Sequence, residues 1–516
     1  MLVNNYITDD YVPRATFYIL DSMHYIEPEN RFQLSLSSYL DGYVSQDNPV
    51  RFIDVFIDKL VKSNPEIFAT KGKDQVGRKA YQPATLQKLY LYGYLNSICS
   101  SRKLERECSR NTEMMWLLGN LRPDHKTISD YRKDNKDAIR FVCISFRKFL
   151  KEHGYIDAQK VAYDGTKLKA NASRETIKRE WVEKRLNKLD EYLNKYLDQL
   201  QNNDIVEDIE DQISGLSERT GVETALLQKI ADLQKQIEVL QNHKAFMVNH
   251  DLDCYAPADP EARLMKTRDG FVPAFNMQTG VDDKNKMFVF AQVTDKGVDT
   301  HELQPNVEQT KEQLGITPAI VEADKGFANL EQIKSIEENH STICAVPLQE
   351  IKQEEKDKIA GVHFQYDESN DCIICSEGQK LTLIHKDKVK RGSHYAVYQG
   401  NCSGCPKKDQ CTTSKKGRLV HRKHDQKWID QYRKRINSQP FKILIKERKS
   451  IVEHPFGTIK YWMGKFPLRL RGKEKVQTEM DIFTTAYNLK RLMNIEKMEN
   501  LLKMVQNYSW NLAYLK

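Results

Sequence analysis

Between Ser173 and His250 the chain is densely charged yet carries two apolar seams, and this narrows its possible folds more than any other feature. Leu186, Leu189, Leu193, Leu197 and Leu200 recur at spacings of 3, 4, 4 and 3, and Leu226, Ile230, Leu233, Ile237 and Leu240 at 4, 3, 4 and 3. Such a seam is a stripe along one side of a helix, and a stripe needs a partner to leave water. Gly215 and Gly221 supply a break between the two. The simplest expectation is an antiparallel helical hairpin over residues 173–250, projecting from the rest of the fold.

The remaining chain is long enough for several packed units: 516 residues suggest about three domains. Hydrophobic residues at 40% and charged residues at 29% fit a globular protein with ample core. Lys+Arg 80 against Asp+Glu 72 leaves a formal charge of +8, too small an excess to mark a nucleic-acid binder without local clustering. No run of about 18 apolar residues occurs, which excludes a membrane-spanning helix. The opening MLVNNYITDDYVPR has acids where a secretion signal carries cations, so an intracellular location is expected. The ten cysteines are then read as thiols or metal ligands rather than disulfides.

Residues 1–150 read as helical. Pro83 opens an apolar-periodic stretch through Leu86, Leu89, Leu91, Tyr94 and Leu95. Short basic helices follow in SRKLERECSRNTEMMWLLGNLRPDHKTISDYRK, broken near Gly119 and Pro123. An array of that kind presents one helix to a DNA groove or is an ordinary bundle. From Ile156 the pattern changes: a short strand, Val161 to Tyr163, ends at Asp164. PAFNMQTGVDD and MFVFAQVT read as two more strands joined by a turn, followed by a helix over Glu302–Gln313 and a strand from Ala319 running to Asp324. The order predicts a mixed α/β sheet. ILIKERKSIVEHPFGTIKYWMG reads as a helix carrying Glu453, and AYNLKRLMNIEKMENLLKMV as a last amphipathic helix.

Two groups of residues could bind metals. Cys375 with the NCSGCP knuckle of Cys402 and Cys405, and with Cys411, makes four thiolates, the number a tetrahedral structural zinc takes; Cys372 is left out because Cys375 opens the turn-like CSEGQ. Asp164 and Asp324 each end an apolar strand, and if those strands are neighbours Glu453 on a packed helix could reach both. Three hard oxygen donors suit Mg²⁺ or Mn²⁺, and two such ions support phosphodiester chemistry. Asp282 and Asp283 are rival acids, read as turn residues. Basic residues cluster after the cysteines (Lys415, Lys416, Arg418, Arg422, Lys423) and around Glu453 (Lys446, Arg448, Lys449, Lys460, Lys465, Arg469, Arg471, Lys473). With Tyr461 and Trp462 among them they could form a phosphate track with stacking platforms.

At these motifs the sequence resembles the DDE transposases of bacterial insertion sequences, particularly the insertion sequence 1182 group. YDGTKLKANAS resembles the segment around that family's first catalytic aspartate, VEADKGF the second, and RKSIVEHPFGTIKYWMG the closing glutamate signature with a lysine seven residues on; FNMQTGVDD with FVFAQVT, the LRG and AYNLKRL stretches, the N-terminal SRKLERECSRN and RPDHKTISDYRK segments and the cysteine-rich insertion also look familial. Arg448 precedes the glutamate, but the tyrosine often found upstream of it in related transposases is missing from residues 443–452.

The resemblance implies an α/β fold: a ribonuclease-H-like mixed-sheet core over 156–172 and 251–495, a helical DNA-binding domain over 1–150, the hairpin insertion, a cysteine-rich zinc-like insertion over 372–415 and a C-terminal helix over 496–516. It implies catalytic Asp164, Asp324 and Glu453 holding two Mg²⁺ or Mn²⁺, and DNA phosphates held by Lys460, Arg448, Lys449, Arg469 and Arg471. The implied partners are double-stranded terminal inverted repeats and target DNA, bound by a homodimer in the bacterial cytoplasm at the nucleoid, with no membrane. The implied activity is metal-dependent DNA cleavage and strand transfer. An inactive zinc-stabilised DNA-binding regulator and a nuclease without strand transfer are the alternatives.

Overall fold

The computed structural model describes residues 25–26, 40–68, 79–173, 175–214, 221–348, 364–390, 393–463 and 468–510. Short helices come first: α1 (Pro49–Ser63), α2 (Pro83–Leu95), α3 (Ser101–Arg110), α4 (Thr112–Leu118), α5 (His125–Asp134) and α6 (Lys136–Glu152). Their boundaries follow local chemistry. Asn48, Asn111 and Asp124 accept backbone N–H bonds at the starts of α1, α4 and α5, and Gly119 ends α4 at φ 59°, where a side chain would be strained.

The central sheet contains β1 (Lys160–Lys169), β2 (Arg263–Thr267), β3 (Gly270–Asp282), β4 (Phe288–Thr294), β5 (Ile320–Glu322) and β6 (Ile343–Ala345). Its order is β4-β3-β1-β5-β6, and β2 shares the outer edge of β3 with β4. β3 runs antiparallel to β1, β2 and β4, whereas β5 is parallel to β1 and β6 to β5. The parallel pairs need crossovers, which are α9 (Leu303–Leu314) before β5 and α10 (Leu330–His340) before β6. The hairpin α7 (Arg179–Ser214) and α8 (Gly221–Asn249) leaves between β1 and β2, and Leu186, Leu189 and Leu193 pack against Leu233, Ile237 and Leu240. Gly215, expected at its turn, lies outside the described residues.

Three local expectations are corrected. Strand β1 does not end at Asp164: its antiparallel register with β3 runs unbroken from Val161–Asp282 to Lys169–Ala274 and carries the strand on. The cysteine-rich stretch, read from sequence without strands, is a five-stranded antiparallel sheet in chain order: β7 (Phe364–Asp367), β8 (Cys372–Cys375), β9 (Lys380–Lys390), β10 (Ser393–Gly400) and β11 (Leu419–Lys423), with α11 (Lys408–Cys411) inserted. After α12 (Gln426–Ile436) and α13 (Gln439–Met463), the last amphipathic stretch is two helices, α14 (Lys473–Ile495) and α15 (Met498–Asn507). Glu496 interrupts them in an extended conformation, and its carboxylate accepts from Tyr155, Lys497 N and Asn500.

Helix α14 is buried on nearly every side. It lies along edge strand β4, where an open row of backbone groups would otherwise need water. Asn488 Oδ1 accepts from Phe288 N (2.8 Å) while its Nδ2 donates to Phe288 O (2.9 Å); Gln477 does the same for Val293 N and Ala291 O. One core cluster joins α1, α2, α4 and α6 to the sheet, α14 and α15. Among the described residues no helix is long and apolar enough to cross a membrane. Asn488→Ala orphans both buried Phe288 groups and is expected to lower stability by about 3 kcal/mol in urea unfolding; a loss below about 0.5 kcal/mol, the scale of ordinary surface changes, would mean the edge is closed some other way.

Candidate active site

Register brings the two expected aspartates together. β1 and β5 pair in parallel as far as Ala162 with Glu322, so two residues on Asp164 and Asp324 lie level, on the same face by alternation. There the strands part: β5 ends at Glu322 while β1 continues on its β3 side alone. Asp324 turns the chain, its Oδ1 accepting from Gly326 N at 2.7 Å. Over this face lies α13, whose Ile451, Val452, Phe456 and Ile459 pack on Ala162, Val281, Phe288 and Tyr487. The helix thus crosses the sheet from β5 towards β4.

Its charged residues divide between two flanks. Glu447 reaches Lys160 at 3.0 Å, towards the beginning of β1, and His454, seven residues on, meets Tyr487 at 3.0 Å. Arg448 points down, with Nη1 3.7 Å from Asp164 Oδ1. Lys449 and Glu453 are exposed on the remaining flank, and Glu453 makes no side-chain hydrogen bond or ion pair with another described residue. Lys460 is on the same helix, but its side chain lies outside the described residues, as do those of Tyr461 and Trp462. Arg469 and Arg471 are exposed beyond it; Arg471 Nε donates to Asn171 O and Asn171 Nδ2 donates to Arg469 O, joining the segment after β1 to the segment before α14.

The site is electrostatically strained. Burial pushes the Asp164 carboxyl up to about 6; Arg448 opposes this and the nearby Asp324 charge adds to it. Two acids were not anticipated. Asp299, from the loop after β4, accepts from Asn276 and Gln278 (both 2.6 Å) and packs against Gly165, where any Cβ would collide with it. Glu322 is fully buried, its carboxyl pushed up to about 7 chiefly by burial, and neither oxygen has a hydrogen-bond partner. A lone acid in a loop and a glutamate in a strand carry no motif in one sequence. The rival acids have structural partners: buried Asp282 accepts from Ala158 N, and Asp283 is paired with Lys160 and Lys286.

In the second sheet Cys375, Cys402, Cys405 and Cys411 line one small cavity with Glu377, Lys407 and Arg418; Cys372 is not in that lining. Gln379 N donates to Cys375 Sγ and Arg418 N to Cys402 Sγ. Among the described residues, no three His, Cys, Asp or Glu side chains stand close enough to grip one metal ion as they are.

Because folded Asp164 holds its proton more tightly than the unfolded chain does, its ionisation costs stability as pH rises from about 4 through about 6. In metal-free buffer Asp164→Asn is therefore expected to match the native protein near pH 4 and exceed its stability by on the order of 2 kcal/mol at pH 7.5. Urea midpoints across that range check this; a constant difference at all pH values would contradict it.

Residues 374–493 match the family described as Transposase DDE domain, a span that includes Glu453 but neither aspartate, and residues 38–134 match Transposase domain (DUF772). No curated protein matches the chain. Among solved structures, a piggyBac transposase synaptic complex with hairpin DNA aligns at 10% identity over 91% of this chain and 80% of that chain, with a TM-score of 0.32, too low to carry a fold assignment. The two domain matches, one over the N-terminal helices and one reaching from the second sheet into α14, support a DDE transposase of an insertion sequence.

Proposed function

We propose that the chain binds the terminal repeats of its own element as a homodimer, cleaves DNA there and joins the freed 3′-hydroxyl to target DNA. Asp164, Asp324 and Glu453 are its catalytic acids, in the ribonuclease-H-like core of a transposase of the insertion sequence 1182 group. The observation that carries this reading is the parallel pairing of β1 with β5 as far as Ala162 and Glu322, which sets Asp164 level with Asp324, two residues past the end of β5, beneath the helix bearing Glu453. Strand order supports the core assignment: an antiparallel trio, β1, β3 and β4, extended on its other side by two parallel strands. Helical periodicity supports the third acid. Since Glu447 and His454 occupy the flank towards the beginning of β1, Lys449, Glu453 and Lys460 share the flank towards its aspartate end.

The donor set fits two Mg²⁺ or Mn²⁺: hard oxygens with open coordination, among them an Asp164 carboxyl pushed up chiefly by its burial and further by the neighbouring Asp324 charge. When bound, such ions polarise the phosphate and activate the attacking water or 3′-hydroxyl. The chain's own part is to hold DNA in line with its acids. Exposed Lys449, Arg469 and Arg471, together with Lys460, are the residues assigned to the DNA phosphates, and exposed Arg102, Lys103, Arg106 and Lys126 on α3 and α5 give the N-terminal helices a basic surface for the repeats. Cys375, Cys402, Cys405 and Cys411 hold one structural Zn²⁺, for which their shared cavity and the two N–H···S bonds are the support.

The test is cleavage and strand transfer by the full-length protein on DNA carrying the element's ends. Asp164→Asn, Asp324→Asn and Glu453→Gln are each expected to lower both reactions by on the order of 10³-fold or more, non-additively, while binding to the ends survives. Lys460→Ala should fall between these and native, and Asp283→Asn should stay near native. Near-normal Mg²⁺-dependent cutting by the Asp324→Asn protein would refute the assignment. Metal analysis should find one zinc per chain, lost in Cys402→Ser; zinc-free protein with freely titrating thiols would remove that part of the proposal.

A further inference from the structure

Beneath α13 one cation and two carboxylates are mismatched. Arg448 is half-buried and its Nη1 has no hydrogen-bond partner; it lies 3.7 Å from Asp164 Oδ1, an ion-pair separation too long for a hydrogen bond. Glu322, two residues before Asp324 on the same face, is fully buried with both oxygens unpartnered, and Arg448 is among the charges acting on it, as on Asp164. A buried, unpaired carboxylate is costly, and strands do not keep one without a compensating role. The other charges near it are committed elsewhere: Lys160 bridges Asp283 and Glu447.

We infer that Arg448 is a stand-in cation at Asp164, and that Glu322 is the carboxylate that receives it when a divalent metal binds. This rests on Asp164 and Asp324 being metal ligands. A guanidinium beside Asp164 partly neutralises the acids and also competes with an incoming ion, since two cations cannot share that space without repulsion. Rotation of the arginine towards Glu322 frees the Asp164 oxygens and converts two orphaned groups into a charge-assisted pair. Glu322 is thereby a positioning residue: it acts through Arg448 and touches neither metal nor DNA.

The test is Mn²⁺ binding to the full-length protein by titration calorimetry, with no turnover involved. Asp164→Asn must weaken binding; if it does not, the metal-site reading fails and this inference falls with it. If it does, Glu322→Gln is expected to weaken Mn²⁺ binding by about tenfold in the otherwise native protein. In an Arg448→Met background the same change should cost less than about twofold, because no guanidinium needs rehousing. Equal losses in both backgrounds would make Glu322 a ligand or a simple through-space charge, and no loss in either would leave it structural; each result overturns the relay while sparing the metal site. Arg448→Met alone, which leaves the buried glutamate untouched, should tighten Mn²⁺ binding, and weaker binding would equally overturn it.

Discussion

The burial of helix α14 on nearly every side is the constraint on which the remaining packing depends. It carries Glu479 and Asp481 into the interior, where removing the partner of a buried carboxylate is costly. Glu479 meets Arg132 of α5 at 3.3 Å and accepts from the backbone of Arg469 and Leu470; Asp481 meets Arg140 of α6 at 2.9 Å. Arg132 in turn donates to Tyr94 of α2. These pairs form only if the N-terminal helices dock in one register. Removing one member of such a pair typically costs about 3–5 kcal/mol, which makes misdocked arrangements unfavourable by the same order.

That rigid assembly frees the opposite end of the sheet to be strained. β1 is secured along its whole length by β3, so it tolerates losing its other neighbour after Ala162. The gap this opens is where acids collect: Asp164, Asp324 and Glu322 on one face, Asp299 just across the strand. Stability is given up there in a small region whose frame is held elsewhere, a common division in enzymes.

Much of this was legible in the sequence. The leucine seams predicted the hairpin because a 3–4 repeat has few other uses, and apolar runs ending in Asp164 and Asp324 located the neighbouring strands. What escaped had physical reasons. The second sheet is disguised by basic side chains on strands such as KLTLIHKDKVK, which reads as a charge run. Helix α14 looks like a surface helix because Glu479 and Asp481 are charged, and nothing local tells that arginines about 350 residues earlier await them. Asp299 and Glu322 have no spacing signature; they matter only through what the fold sets beside them.

The joining of the N-terminal helices to the sheet in one core has a consequence for how such a protein changes over generations. Phe56 of α1 and Phe149 of α6 pack on Trp510, 4.9 and 5.3 Å between ring centres, and Asn64 donates to the Trp510 carbonyl. A break anywhere near residue 150 would strip both halves of apolar cover. The N-terminal helices therefore cannot be traded between lineages as a cassette, in the way that a tethered module can. On the proposed reading of these helices as the DNA-binding part, new preferences arise by substitution on their outer faces, one exposed residue at a time, while the distance from those faces to Asp164 stays fixed by the shared interior.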